Sequence, residues 1–243
     1  MKITVTIPMY NEAAIVADTL RTLSGAMRDY AASSGNDYEI IFSDDGSTDG
    51  SADIVRRVAA EEQIGSVRVI GYADNRGKGS AVREAVLAST GDVVIYTDCD
   101  LAYGTDIIGR LVGFFQPGTD IVVGSRRLDR DGYAEYTFLR RAASGAYVAL
   151  LRLLTGFKLS DSQCGCKAMR GQVGREIFAS CETDGFAFDQ EFLLRAEKRG
   201  CVIAEMPVRV VNHRASSVHL VRDACRMIRD VLKIKKMVGK TET

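Results

Sequence analysis

Short apolar runs separated by helix-length amphipathic stretches set what the first half of this chain can fold into. Ile3-Thr4-Val5-Thr6-Ile7, Tyr38 to Ser43, Val67 to Tyr72, Val93 to Thr97 and Ile121-Val122-Val123 read as buried strands. Between them, Val16, Leu20, Leu23 and Met27 recur at helical spacing, Ala52 to Ala60 continues as a helix, and Ala81, Val82, Ala85 and Val86 share one helical face. Ile107, Leu111, Val112 and Phe115 mark a further helix. Strand–helix alternation of this kind predicts an α/β fold: a mostly parallel, open sheet covered by helices on both faces, joined by right-handed crossovers.

In such a sheet, ligands bind outside the carboxyl ends of the strands. The residues at those ends are therefore the ones to read for chemistry. The fourth run, Val93-Val94-Ile95-Tyr96, delivers Thr97-Asp98-Cys99-Asp100. Two carboxylates one residue apart suit a hard divalent cation whose remaining ligands are water and substrate phosphates. A D-x-D alone is also what a solvated turn carries, so its neighbours decide. The first run ends in Pro8-Met9-Tyr10-Asn11-Glu12, the second in Ser43-Asp44-Asp45-Gly46-Ser47-Thr48-Asp49, and the fifth in Gly124-Ser125-Arg126. The loop after the third is Asn75-Arg76-Gly77-Lys78-Gly79.

A parallel sheet collects all of these on one edge, and convergence of this kind outweighs any single motif. The set suits a nucleotide bearing a diphosphate. Tyr10 can stack on a base, and Asp44 or Asp45 can accept from a base N–H or a ribose hydroxyl. Lys78 and Arg126 can neutralise phosphate oxygens, and Asp98 and Asp100 can hold the metal. Ser47 to Asp49 read instead as turn and cap residues. Taken by itself, Lys78 is equally a solvated loop lysine. A dinucleotide-binding G-x-G-x-x-G is absent after the first strand. Gly77-Lys78-Gly79-Ser80 lacks the first glycine of a P-loop.

Composition narrows the class further. The 243 residues carry a formal net charge of zero, so nothing global points to nucleic acid. The cysteines form no C-x-x-C pair, and His213 and His219 lie apart from them, so the expectation is buried, reduced thiols in a cytoplasmic protein rather than a zinc site. The chain opens on a strand, without a leader-like apolar segment. Its longest uncharged run, Ala142 to Leu151, is ten residues, against the roughly 20 that a membrane span needs.

After Ser125 the rhythm changes. Arg126 to Tyr136 and Lys158 to Gly165 read as loops, Phe138 to Leu154 as an apolar helix with arginines at 140, 141 and 152, and Asp189 to Lys198 as a helix. A strand over Val202 to Val210 and a helix from about Ser217 to Lys236 complete the chain. This is the pattern of one domain, 1–243, with a specialised C-terminal third.

The ordered signatures Ile7-Pro8-Met9-Tyr10-Asn11-Glu12, Ser43 to Asp49, Asn75 to Gly79 and Asp98-Cys99-Asp100 resemble those of family 2 glycosyltransferases with the GT-A fold. Gly124-Ser125-Arg126, Asp161-Ser162-Gln163-Cys164-Gly165-Cys166-Lys167 and Phe186-Ala187-Phe188-Asp189-Gln190-Glu191 are similar to segments of the dolichyl- and polyprenyl-phosphate glucosyl- and mannosyltransferases. The resemblance implies inverting transfer of a hexose from UDP-glucose or GDP-mannose to a polyprenyl phosphate, with Mg2+ or Mn2+ as cofactor. It implies that residues 1–125 take the nucleotide sugar and 126–243 the acceptor and membrane. It places Pro8, Tyr10, Glu12, Asp44 and Lys78 at the nucleotide, Asp98 and Asp100 at the metal, and Arg126, Arg140 and Ser144 at phosphates. Ala102 stands where some mannosyl members offer a third metal ligand, and Asn212-His213-Arg214 replaces an aromatic and acidic segment of the glucosyl members.

A phosphate acceptor is already anionic, so it needs positioning more than a general base. Asp189 is the candidate base for the alternative, a sugar-hydroxyl acceptor, and is equally well read as a first-turn carboxylate. A sugar-phosphate nucleotidyltransferase is the alternative from another reaction class; it wants a Gly-rich loop where Tyr10-Asn11-Glu12 stands.

Arg222, Arg226, Arg229, Lys233, Lys236 and Lys240 recur at steps of three and four, a basic stripe on the last helix, with Val221, Ala224, Ile228, Val231 and Leu232 on another face. In a chain of zero net charge this segregation, with the apolar 138–154 helix, predicts a peripheral contact with the inner face of an anionic membrane. A solvated helix face is the plain alternative. Nothing in the sequence sets an oligomeric state.

Overall fold

The computed structural model describes residues 1–132, 138–212 and 220–240; side chains of 138–143, 220–228 and 240 fall outside that description. The elements in chain order are β1 (Lys2–Met9), α1 (Val16–Ser34), β2 (Asp37–Asp44), α2 (Ser51–Glu61), β3 (Val67–Gly71), α3 (Lys78–Ala88), β4 (Val93–Thr97) and α4 (Asp106–Gly113). They continue as β5 (Ile121–Ser125), α5 (Phe138–Thr155), β6 (Cys166–Arg170), α6 (Gly171–Phe178), α7 (Phe188–Lys198), β7 (Ile203–Pro207) and α8 (Leu220–Lys240).

The strands form one open sheet in the order β3-β2-β1-β4-β6-β5-β7. Every pairing is parallel except those of β6, which runs antiparallel to both β4 and β5. β6 and α6 stand where the sequence pattern predicts no element. Cys-Lys-Ala-Met-Arg has no β-branched residue, no alternation and a charge near its centre, so it carries no strand signal. Its neighbours impose the strand on it.

Side chains leave β4 alternately to the two faces, as a strand requires. Val93 and Ile95 enter a core with Ile3, Val5, Ile7, Leu20, Leu23, Met27 and Leu111, under α1, α2 and α4. Val94 and Tyr96 enter the opposite core with Val82, Val86, Phe178, Phe188 and Phe192, under α3, α6 and α7. The second core also takes Leu151 of α5 and Val231, Ile234 and Val238 of α8.

That packing sets the faces of the C-terminal helices and corrects one expectation about them. Val148 and Leu151 of α5 are buried, and Leu153, on another face, is 82% exposed. On α8 the buried line is Val231, Ile234 and Val238, and Leu232 is 51% exposed, because adjacent helical positions stand about 100° apart. Arg229, Lys233 and Lys236 are exposed; the side chains of Arg222, Arg226 and Lys240 lie outside the described residues. Among the described residues no helix is long and apolar enough to cross a membrane.

Candidate active site

The sheet register brings the strand ends together. Met9 pairs with Asp44, Asp44 with Gly71, Thr97 with Cys166 and Ser125 with Pro207. Because β6 is antiparallel, its amino-terminal end joins the same edge, which puts Cys164-Gly165-Cys166 beside the residues leaving β4.

Asp98 and Asp100 follow β4 in a tight turn held by Leu101 N–H donating to Asp98 O at 3.0 Å and by Ala102 N–H donating to Asp100 Oδ1 at 3.1 Å. Leu101 has φ +48°, a conformation that costs a non-glycine residue about 1 kcal/mol or more and is kept where surrounding structure enforces it. Leu101 is buried. Asp98 is partly exposed and is met by Lys78 Nζ. Burial, and then the neighbouring Asp98 charge, push the Asp100 carboxyl above its usual range. Two carboxylates one residue apart at a strand end, with Asp100 half-enclosed, fit a divalent cation, which would relieve both charges at once. Among the described residues no third His, Cys, Asp or Glu joins them. The donor set therefore fits Mg2+ or Mn2+ that completes its shell with substrate oxygens and water. A cleft of about 300 Å³ adjoins Asp100, lined by Ile15, Thr19, Leu101 and Asn212.

Lys78 opens α3. The preceding Gly77 has φ +117° and, with Gly79, lies against the backbone of Thr183 and Asp184, with no room for a Cβ. Gly79 N–H donates to Asp184 O at 2.7 Å, and Asp184 Oδ1 accepts from Ser80 Oγ at 2.6 Å and Arg83 Nη2 at 2.8 Å. The 182–187 loop thus clamps the start of α3 and aims Lys78. Burial works against the Lys78 ammonium, yet Asp98 and Asp189 outweigh it and raise its pKa.

Asp44 and Asp45, alike in sequence, have different work. Asp45 is 3% exposed and accepts from Tyr72 Oη at 2.6 Å, Asn75 Nδ2 at 2.9 Å, Arg76 N at 2.9 Å and Gly77 N at 2.9 Å. It holds the loop that carries Lys78; as a nucleotide ligand it is corrected to a loop anchor. Asp44 is half-buried and accepts Ser47 N–H at 3.1 Å. Tyr10 is 47% exposed at the end of β1, whereas Pro8 is buried within that strand. Glu12 N–H donates to Ser51 Oγ at 2.8 Å. Asn11 crosslinks the two loops, donating to Ser47 Oγ at 2.9 Å and accepting Thr48 N–H at 2.9 Å. Asp49 accepts from Ala13 N and Ser51 N. The 47–49 segment turns the chain between β2 and α2, as its residue types predict, but the N-cap of α2 is Gly50 and not one of these residues.

On the other side of β4, Arg126 is not a bare cation awaiting phosphate. Its Nε donates to Asp161 Oδ2 at 2.7 Å and its Nη2 to Asp161 Oδ1 at 3.0 Å, a bidentate pair with Asp161 buried. Burial alone would raise the Asp161 carboxyl, but the Arg126 hydrogen bonds hold it below its ordinary value. Ser144 of α5 is half-buried, and the next residue, Gly145, faces the Arg127 guanidinium. The side chain of Arg140 lies outside the described residues. Burial, and then the Asp189 charge, push the Tyr147 phenol up.

Asp189 itself is buried, with Oδ1 accepting from Tyr96 Oη and from Lys167 Nζ at 2.6 Å. A general base needs an open carboxylate within reach of the acceptor; this one carries an internal ion pair. Lys167, Asp161 and Gly165 were missed as site residues. Their only sequence signal was the Asp161–Lys167 motif itself, in a stretch without periodicity.

The profile of "Glycosyl transferase family 2" matches residues 4–178. The chain is 31% identical over 234 residues to glycosyltransferase AglD of Haloferax volcanii, spanning 96% of this chain and 37% of that protein. It is 28% identical over 243 residues to a dolichyl-phosphate beta-glucosyltransferase of Dictyostelium discoideum, spanning 96% and 73% respectively. It is 37% identical over 186 residues to an undecaprenyl-phosphate 4-deoxy-4-formamido-L-arabinose transferase of Edwardsiella ictaluri, 76% of this chain and 54% of that one. In three dimensions it resembles glucosyl-3-phosphoglycerate synthase from Mycobacterium tuberculosis, solved with Mn2+, uridine diphosphate and phosphoglyceric acid: TM-score 0.69, 20% identity, 98% of this chain and 78% of that one. That likeness shows the fold, a GT-A sheet. With the D-x-D, the loop lysine and the ordered strand-end motifs all on one edge of that sheet, the chain belongs to glycosyl transferase family 2.

Proposed function

We propose that this protein transfers a hexose from a nucleotide diphosphate sugar to a polyprenyl phosphate, with inversion at the anomeric carbon. The observation that carries the reading is the meeting of Asp98, Asp100 and Lys78 at the carboxyl edge, flanked by Tyr10 and Asp44 on one side and by Arg126 on the other. The first half, 1–125, takes the donor. Tyr10 stacks on the base, and Asp44, half-buried at the end of β2, accepts from ribose or base. Glu12 borders the same pocket, and Lys78 neutralises the diphosphate. Asp98 and Asp100 hold Mg2+ or Mn2+, which when bound stabilises the leaving diphosphate.

The second half takes the acceptor. The Arg126–Asp161 pair leaves a guanidinium fixed in orientation, and Ser144 and Arg140 on α5 complete the phosphate subsite. An anionic phosphate oxygen attacks without a base, so positioning supplies most of the rate. This agrees with Asp189 being occupied by Lys167 and Tyr96 rather than open to a hydroxyl acceptor. Relatives named for dolichyl and undecaprenyl phosphates support the acceptor class. The exposed Arg229, Lys233 and Lys236, with Leu232 and Leu153, support peripheral attachment to the inner face of an anionic membrane.

The test is incubation with labelled UDP-glucose and GDP-mannose, with and without polyprenyl phosphate and Mn2+. Lipid-extractable label supports the reading. Label in water-soluble glycan instead favours a hydroxyl acceptor, and pyrophosphate exchange favours nucleotidyl transfer.

A further inference from the structure

Lys167 is a lysine with no solvent exposure in the middle of the sheet, on a strand between β4 and β5. Burying an ammonium is costly unless its donors are all used, and here they are. Nζ donates to Asp189 Oδ1 at 2.6 Å, to Tyr96 Oη at 2.7 Å and to the Cys164 carbonyl at 2.7 Å. The first two bonds hold the lysine against β4 and α7. The third leads to the active site, because Cys164 immediately precedes Gly165.

Gly165 packs directly on Asp98: a Cβ there would stand 2.9 Å from Asp98 Cγ and closer still to Oδ2. From the other side, Gly165 N–H donates to Tyr103 Oη at 3.3 Å. The Cys164–Cys166 turn is thus a floor under the Asp98 carboxylate, and Lys167 is the tether that fixes its height. We propose that Lys167 is a positioning residue for the metal carboxylate Asp98, acting through the Cys164 carbonyl and Gly165, with Asp189 and Tyr96 as its anchors. The inference rests on Asp98 being a metal ligand, as in the functional reading above. It also explains why Asp189 is buried: its charge balances the tether.

The test measures Mn2+ affinity directly, by the electron paramagnetic resonance signal of free Mn2+ in the presence of UDP, alongside UDP affinity in chelator. Wild type, Lys167→Met and Lys167→Met/Asp189→Asn are compared; the double variant removes both buried charges, so it folds even if the single one does not. We expect Mn2+ affinity to fall about 10- to 100-fold in the folded variants, the range for lost outer-shell support of a metal ligand, while metal-free UDP affinity stays within about twofold. Wild-type Mn2+ affinity in the double variant would overturn the proposal, since it would mean that Lys167 only neutralises Asp189. Equal loss of metal-free UDP affinity would overturn it too, as general structural damage. If the wild type itself binds no Mn2+ with UDP, the metal reading falls and this inference with it.

Discussion

Replacing Gly165 by alanine tests whether the floor under Asp98 sets the activity of this site. The new methyl carbon would stand 2.9 Å from Asp98 Cγ and 3.4 Å from Oδ1. Ordinary carbon contacts are 3.5–4.0 Å, and Asp98 Oδ2 lies closer to the new carbon than Cγ does, so Asp98 must give by about 1 Å or more. The neighbour is the end of a flexible, partly exposed side chain, so the fold absorbs the change by swinging the carboxylate aside. Gly165 does not adopt a left-handed conformation, so no backbone strain is added. A displacement near 1 Å at a reacting centre costs on the order of 100-fold in rate, or about 2.7 kcal/mol of barrier. The expected result is a fall of that size in kcat/KM with Mn2+, weaker apparent Mn2+ affinity, and a Tm within a few degrees of wild type. Gly25→Ala, where nothing lies within 4 Å of the added carbon, is the control and should be silent. Wild-type kcat/KM and Mn2+ affinity in Gly165→Ala would mean that Gly165 does not set the position of Asp98.

Asp98→Asn and Asp100→Asn should each abolish metal-dependent turnover with unchanged thermal unfolding, because each removes a charge that suits the cation; wild-type turnover at saturating Mn2+ would contradict the assignment. Asp161, held below its ordinary carboxylate range by Arg126, contributes stability that is present above its unfolded pKa near 4 and is lost as pH falls through its lower folded value. Arg126→Ala should therefore cost about 3–5 kcal/mol at neutral pH, as loss of one partner of a buried pair does, and progressively less as the pH is lowered below about 4; a loss that does not change with pH, by chemical denaturation, would refute the pairing. The α8 stripe should bind anionic liposomes at low salt and release them at high salt, since charges are screened beyond about 8 Å at physiological ionic strength. Changing Arg226, Arg229, Lys233 and Lys236 to Gln should weaken that binding; a variant that co-sediments like wild type would leave the stripe a solvated face.

The strands and helices up to β5 were legible because each declares itself: alternation in β1, a short apolar centre in β2, an apolar run in β4, and 3.6-residue spacing in α1 and α3. The order of strand-end motifs was enough to foresee one polar edge. What was not legible came from long-range partners. Asp44 and Asp45 are indistinguishable by type, but as consecutive residues at a strand end they part, and Asp45 is taken by Tyr72, Asn75, Arg76 and Gly77. Arg126 reads as a free phosphate ligand until Asp161, 35 residues on, is seen to grip it. Lys167 gives no hint of burial, because only the antiparallel insertion of β6 between β4 and β5 brings Asp189, Tyr96 and the Cys164 carbonyl around it. On α8, Leu232 looks like a neighbour of Val231 in the sequence yet faces the other way, because Val231, Ile234 and Val238 take the buried line.

The reaction proposed for the Asp98–Asp100 edge is sugar transfer to a lipid phosphate. The most direct measurement follows label from UDP-glucose and from GDP-mannose into the organic phase, with purified protein, polyprenyl phosphate and Mn2+, against the Asp98→Asn variant. Lipid-extractable label from one donor is expected, released as free sugar by mild acid, dependent on both metal and lipid phosphate, and absent with Asp98→Asn. Label that stays water-soluble with both donors while metal and intact lipid phosphate are present would contradict it.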